Sequence, residues 1–220
     1  MNETLEIIRS EFAQASFETF EMVFNSMAAA AVIGTLLGLV LHLTSNPLFY
    51  RNRIINGIAG TIVNIIRSMP FIILIIVLIP VTRILVGTSI GALAASVSLS
   101  IASIAFFARL VENAFSEVDK GVIEAAVAAG AGTFLIIRKV LFVEAMPALV
   151  RALTVTFVSI IGYSAMAGAV GGGGIGNLAI MYGYNRYQTG VLLVTVVVLI
   201  IIVQLGQWIG DKIAMALTRK

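Results

Sequence analysis

The sequence contains no cysteine and only one histidine, His42. Disulfide bonds and thiolate metal sites are therefore excluded, and so is a metal site built from several imidazole groups. Charged residues make up only 11% of the 220 residues, whereas soluble proteins carry about 25%. The sequence also lacks the Gly-x-x-x-x-Gly-Lys-[Ser/Thr] motif, which excludes a phosphate-binding P-loop in this chain.

Hydrophobic residues account for 60% of the chain, and the mean hydropathy is +1.06. Several runs reach the roughly 20 apolar residues that an α-helix needs to cross the hydrocarbon of a bilayer. This pattern predicts an all-α polytopic membrane protein, folded as a single domain over residues 1–220. The five predicted spans cover residues 22–42, 57–80, 87–108, 149–170 and 190–209.

Residues 1–21 are polar, with an apolar stripe at helical spacing formed by Leu5, Ile8, Phe12 and Ala15. We expect an N-terminal surface helix at the outer membrane interface. The segment is acidic, whereas the first region of a secretory signal is basic, so we expect the first span to be retained.

Lysine and arginine residues are distributed unequally between the two sets of loops. The N-terminus and the second and fourth loops hold three: Arg9, Arg83 and Arg186. The first and third loops and the C-terminus hold nine: Arg51, Arg53, Arg109, Lys120, Arg138, Lys139, Lys212, Arg219 and Lys220. The positive-inside rule therefore predicts an N-terminus outside and a C-terminus in the cytoplasm. Because the charges follow the loops and form no separate patch, no nucleic-acid partner is indicated.

Three glycine pairs have the small-xxx-small spacing that permits close helix packing: Gly34/Gly38, Gly87/Gly91 and Gly206/Gly210. We interpret them as contacts within the chain, with a dimer interface as the alternative.

The long polar segment 109–148 carries the most informative motif, Glu124-Ala125-Ala126 followed by Gly130. Gly130 is expected to separate two helical segments, 121–129 and 133–142. The motif resembles the EAA loop of ABC-importer permease subunits, which forms coupling helices on a cytoplasmic ATPase. The resemblance implies ATPase-coupling roles for residues Glu124, Ala125, Ala126, Gly130, Arg138 and Lys139. In that family a proline commonly follows the loop, whereas here Val143 holds the position and Pro147 comes later. An amphipathic helix on the lipid surface is the alternative.

No aspartate or glutamate falls within the five predicted spans, which opposes a proton-coupled pump. Arg67 does fall within one, in the sequence Arg67-Ser68-Met69-Pro70-Phe71, and Pro70 predicts a kink. Arg67 either reaches the cytoplasmic interface or lines a cavity. The segment resembles the Arg-Gly-x-Pro element of amino-acid importer permeases, which favours a place for Arg67, Ser68 and Pro70 beside a translocation path.

The fourth predicted span contains Tyr163, Ser164 and Met166 and leads into Gly171–Gly174. Together with Tyr182-Gly183-Tyr184, it resembles the permease subunit of methionine ABC importers. That resemblance implies that Tyr163, Ser164 and Met166 lie on the path or its gate, and core packing is the alternative for Met166. The glycine run is either a flexible hairpin or part of a gate.

These resemblances imply a type I ABC-importer permease fold in a bacterial inner membrane. Two copies of the chain would form a path for L-methionine, with D-methionine and derivatives as further candidates. Two ATP-binding cassette subunits, which hold ATP and Mg²⁺, would bind beneath, and an extracytoplasmic solute-binding protein would deliver the substrate. The chain itself would be no enzyme and would bind no cofactor. The alternatives are a permease for another amino acid or small polar solute and, less favoured, a secondary transporter.

Overall fold

The computed structural model describes residues 2–218, with side chains from Thr4 onward. Arg219 and Lys220, two of the nine cations in the charge count, lie outside the described residues. The predicted all-helical architecture is confirmed for the part of the chain described. Four helices are long and apolar enough to cross a membrane, and a bent helix pair provides a fifth span if it counts as one.

The first long helix combines α1 (Asn2–Ala29), a π-helical segment (Ala30–Gly34) and α2 (Thr35–Ser45). The helix that contains the first apolar span covers 42 residues, Thr4–Ser45. The structure thus differs from the separate surface helix expected over residues 1–21. The reason is that neither glycine nor proline occurs before Gly34, so nothing breaks the helix between the polar and apolar parts.

The second span is broken at the predicted proline. Helix α3 (Arg53–Ser68) begins at Asn52, whose side chain accepts hydrogen bonds from the amides of Ile54 and Ile55. Met69 and Pro70 are extended, and α4 (Phe71–Val77) leaves at 110° to α3. The predicted kink at Pro70 is confirmed. It arises because proline disfavours helical backbone in the residue before it, here Met69. Helix α5 (Ile79–Val86) ends at Gly87.

Helix α6 (Ala92–Ser116) is the central helix and contacts the first span, α3, α4, α5 and α9. A short loop with α7 (Lys120–Ala128) follows, and α8 (Thr133–Ile136) then starts the fourth span. A π-helical segment (Ile137–Leu141) joins α8 to α9 (Phe142–Gly168) without a break. The connection between spans is thus shorter than the expected 109–148, because Pro147 lies inside α9 and does not end it.

The chain then turns at a glycine run into the short α10 (Gly174–Leu178) and a π-helical segment (Ala179–Tyr184). The last helix, α11 (Thr189–Thr218), packs antiparallel along α9.

Two of the three glycine pairs serve close packing within the chain, as predicted. A β-carbon at Gly38 would lie 2.5 Å from the carbonyl oxygen of Ala108, and one at Gly206 would overlap the ring of Phe157. The prediction is wrong for Gly87 and Gly91. They lie in the turn between α5 and α6 with φ of +82° and +101°, and a β-carbon on either would meet no atom within 4 Å.

The helices place the loops at two opposite ends. At one end, which we call the basic end, Nδ1 of His42 lies 3.3 Å from Oγ of Ser116, and Arg151 reaches Thr218. The loops 46–52 and 117–132 lie there. At the other, the glycine end, the amide of Gly91 donates to the carbonyl of Gly171.

Candidate functional site

Helix α7 projects from the basic end as a knob whose two termini are fixed by local hydrogen bonds. The Asp119 carboxylate accepts the amide of Gly121 at 2.7 Å, which caps the start of the helix. At the other end the amide of Gly130 donates to Val127 and that of Ala131 to Ala126, at 2.9 and 3.0 Å. This pair of bonds is a Schellman motif, which requires the left-handed backbone that Gly130 adopts at a φ of +81°.

One buried side chain anchors the knob to the body of the protein. Ile123 is only 1% exposed and packs with Phe115, Ile136 and Leu141 in the largest hydrophobic cluster. Because these partners come from α6, α8 and the π-helical segment, α7 packs against the ends of two spans at the basic end.

The predicted coupling residues lie on the outside of this knob or next to it. Glu124, Ala125 and Gly130 are exposed, and Ala126 is half-buried. Arg138 and Lys139 are exposed on the π-helical segment, which contacts α7. The structure therefore presents all six residues within one region at the basic end. The predicted helix break at Gly130 is confirmed, since α7 ends at Ala128 and α8 begins at Thr133. The end predicted at residue 142 is wrong, because the second helix continues without a break to Gly168.

Arg67 and Tyr163 line a common cavity of about 160 Å³ beside the Pro70 break. The Tyr163 ring stacks on Phe71 with the two centroids 4.8 Å apart and an interplanar angle of 16°. Arg67 is exposed on α3, and among the side chains that the structure describes no carboxylate lies within 4.0 Å of its guanidinium. The cavity thus combines an unpaired cation with aromatic and aliphatic walls.

The other predicted path residues occupy different surroundings. Ser68 and Pro70 are exposed at the break, and the Ser68 hydroxyl donates to the Asn64 carbonyl at 2.7 Å. Met166 is 50% exposed on α9. Ser164, however, is 2% exposed and donates to the Ile161 carbonyl at 2.8 Å, so it does not line the cavity.

A polar cluster that the sequence did not predict bridges α3 and α6. Arg109 pairs with Glu112 at 2.5 Å and donates to the Asn64 side chain at 2.9 Å. Glu112 lies in α6 four residues beyond the predicted span end at 108, because the helix continues to Ser116. Only the pairing of Arg109 with Glu112, three residues apart, was readable from the sequence.

The glycine run is a tight turn packed against the first helix. Gly171, Gly173 and Gly174 all have positive φ. The amide of Gly174 donates to the Glu18 carboxylate at 2.7 Å, and that of Ile175 donates to the Thr19 hydroxyl at 2.8 Å. Side chains of α1 therefore cap the start of α10, which sequence reasoning missed because 156 residues separate the partners.

Comparison with known proteins identifies the family. Residues 19–219 match the model of the binding-protein-dependent transport system inner membrane component. The probable D-methionine transport system permease protein MetI of Vibrio cholerae is 47% identical over 90% of this chain and 88% of its own length. The methionine import system permease protein MetP of Bacillus subtilis is 48% identical over 93% of this chain and 92% of its own length.

Solved structures agree in fold. A chain from the inward-facing MetNI methionine ABC transporter superposes with a TM-score of 0.89 at 45% identity, covering 94% of this chain and 95% of its own. A chain from an amino acid ABC transporter solved with histidines has a TM-score of 0.75 at 20% identity, covering 93% of each chain, and shows the fold alone. The predicted importer-permease fold is thereby confirmed. With its several apolar spans and a family match over most of its length, the chain belongs to the inner-membrane components of binding-protein-dependent transport systems.

Proposed function

We propose that the chain is the permease subunit of an ATP-driven methionine importer, in which two copies form the path and two ATP-binding cassette subunits bind at the basic end. The observation that carries this proposal is α7, a capped and anchored helix whose outer face is exposed. Relatives named as methionine permeases, 47% and 48% identical over at least 90% of this chain, support methionine as the substrate.

The proposed coupling step starts at the knob. ATP binding brings the two ATPase subunits together. Each ATPase subunit then moves the α7 of the permease copy that it contacts. Because Ile123 ties α7 to α6 and to the fourth span, that movement tilts both helices as rigid bodies. ATP and Mg²⁺ remain on the ATPase subunits, and this chain hydrolyses nothing.

The proposed path includes the cavity at the Pro70 break. A guanidinium recognises a carboxylate with two parallel hydrogen bonds, and Arg67 is free of carboxylate partners among the described side chains. The Tyr163 and Phe71 rings supply apolar surface against which a thioether packs favourably. An amino acid with a carboxylate and an apolar sulfur-containing side chain fits both features. An extracytoplasmic binding protein would deliver it at the glycine end.

The deciding experiment is uptake into proteoliposomes that contain this chain with its ATP-binding cassette subunit. We expect uptake of labelled L-methionine that requires both ATP and a solute-binding protein. An ATPase variant that cannot hydrolyse ATP should abolish this uptake. D-methionine and other amino acids serve as competitors. Uptake driven by an ion gradient without the ATPase would show a secondary transporter instead. Transport of another amino acid in preference to methionine would overturn the substrate assignment.

A further inference from the structure

The sixteen residues of α3 divide into two arcs when they are placed at 3.6 residues per turn. One arc, about 140° wide, holds every polar residue and glycine of the helix. Its members are Arg53, Asn56, Gly57, Gly60, Thr61, Asn64, Arg67 and Ser68. The remaining eight residues are six isoleucines, one valine and one alanine. Because the polar arc runs the full length of the helix, it extends from the basic end to the Pro70 break.

The apolar arc supplies the hydrophobic core contacts of α3. Val63 and half-buried Ile66 pack against α2 and α6. Five isoleucines of the arc are exposed on this chain: Ile54, Ile55, Ile58, Ile62 and Ile65. A stripe of exposed isoleucine suits the hydrocarbon of a bilayer.

The polar arc does not suit lipid. Arg53, Gly57, Thr61, Asn64, Arg67 and Ser68 are all exposed on this chain. An arginine facing the centre of the bilayer costs about 2.5–3.5 kcal/mol on insertion scales, so intramembrane cations face water or a protein partner. A second copy of the same arc is a poor partner, because the arc carries two cations and no carboxylate. Water suits the exposed part of the polar arc better than lipid or a second copy of the arc does.

Arg109 of α6 lies beside this arc with its position fixed. Glu112 accepts from one terminal nitrogen of the guanidinium, and Asn64 in the polar arc accepts from the other. A guanidinium has five N–H donors, so these two bonds leave donors free for a further acceptor. Asn64 and Arg67 are three residues apart and hence neighbours on one face of α3. Arg109 and Arg67 therefore flank the same strip of helix surface.

We infer that the polar arc of α3, with Arg109 beside it, lines the aqueous half of the path between the Arg67 cavity and the basic end. Arg109 is a second station for the substrate carboxylate after Arg67. The inference rests on the proposed function and extends it to Gly57, Thr61, Asn64 and Arg109. Glu112 is a positioning residue, because it orients the guanidinium and does not meet the substrate.

The absence of cysteine from the chain makes the arc directly testable. In the reconstituted complex, neighbouring positions form matched pairs: Thr61→Cys with Ile62→Cys, and Asn64→Cys with Ile65→Cys. We expect a charged, water-soluble thiol reagent to modify the polar member of each pair many-fold faster than the isoleucine member. Equal rates within both pairs, or protection of both polar positions in every nucleotide state, would overturn the inference.

A second measurement tests Arg109 itself. The rate at which Thr61→Cys is modified is measured with an anionic sulfonate reagent and with a cationic trimethylammonium reagent, and each rate is divided by the rate of the same reagent with a free thiol. The normalised rate should be higher for the anionic reagent. We expect Arg109→Gln to reduce this preference several-fold, and Arg109→Lys and the remote Arg186→Gln to retain it. A preference unchanged in Arg109→Gln would remove Arg109 from the path.

These labelling rates do not depend on the transported solute. A complex that labels in the expected pattern but takes up no methionine would contradict the proposed substrate and leave the aqueous arc standing. A complex that transports methionine without the pattern would contradict the arc alone.

Discussion

Gly130 holds the coupling knob in shape through a backbone angle that other residues rarely adopt. Its φ of +81° lies in the left-handed region, where a side chain costs about 1–2 kcal/mol, more when it is β-branched. Gly132, two residues later, has an ordinary φ of −69°. A β-carbon on either glycine would meet no atom within 4 Å, so only the backbone angle distinguishes them.

We therefore expect Gly130→Val to distort the end of α7, to weaken ATPase association and to lower methionine uptake. In Gly132→Val, ATPase association and methionine uptake should stay close to those of the unmodified protein. Co-purification of the ATPase and proteoliposome uptake measure both effects. If Gly130→Val associated and transported normally, α7 would lose its assignment as the coupling helix.

Met166 permits a second prediction about a single side chain. It is 50% exposed on α9, so its removal opens little space inside this chain. If the two copies meet there, as the small neighbours Ala165 and Ala167 permit, the thioethers narrow the path. Met166→Ala should then raise ATP hydrolysis in the absence of substrate. Met215 on α11, 47% exposed, provides the matched control, and Met215→Ala should leave that rate unchanged. Equal rates in the two variants would favour ordinary packing for Met166.

At the scale of elements, the contact between α1 and α10 joins parts of the chain that lie far apart in the sequence. The start of α10 depends on Glu18 and Thr19 of α1, which accept the amides of Gly174 and Ile175. Gly168 and Gly176 allow this arrangement, since a β-carbon on Gly168 would lie 2.6 Å from the carbonyl carbon of Gly176. The turn after α9 is thus clamped between two helices.

Removal of the Thr19 hydroxyl should loosen this turn. Thr19→Val leaves the buried amide of Ile175 without an acceptor, which costs about 1–3 kcal/mol. Thr156→Val is the matched control, because the buried Thr156 hydroxyl bonds only the Ala152 carbonyl of its own helix. We expect hydrogen exchange across residues 174–178 to accelerate in Thr19→Val by about tenfold for each 1.4 kcal/mol lost, and not in Thr156→Val. Equal exchange in both variants would show that the hydroxyl does not hold α10.

Local signals predicted the elements well and their connections less well. The ends of α7 were predictable because Asp119 and Gly130 act within their own turns. The continuity of α8 with α9 was not, because Pro147 is tolerated inside a membrane helix whose neighbours stabilise it. The Asn64–Arg109 and Glu18–Gly174 bonds join residues 45 and 156 positions apart, and no spacing rule reaches that far.

For the whole molecule, the structure gathers the loops 46–52 and 117–132 at one end, and the charge count predicts that this end faces the cytoplasm. The exposed residues Tyr50 at the basic end and Tyr184 near the glycine end are suitable reporters. In spheroplasts, an impermeant thiol reagent should label Tyr184→Cys, and should label Tyr50→Cys only after the membrane is opened. Labelling in the reverse order would invert the predicted orientation.

The length of the first helix sets how far the protein stands out of the membrane. At 1.5 Å per residue, the 42 residues Thr4–Ser45 extend for about 63 Å. Tilted by 40°, the upper end of the usual range, such a helix still rises about 48 Å, against a hydrocarbon thickness of about 30 Å. Several of its turns must therefore lie beyond the hydrocarbon. The acidic N-terminal turns are the part suited to water, and they form a negatively charged helical protrusion beside α10. A protein that approaches the glycine end contacts this protrusion before it reaches the membrane surface.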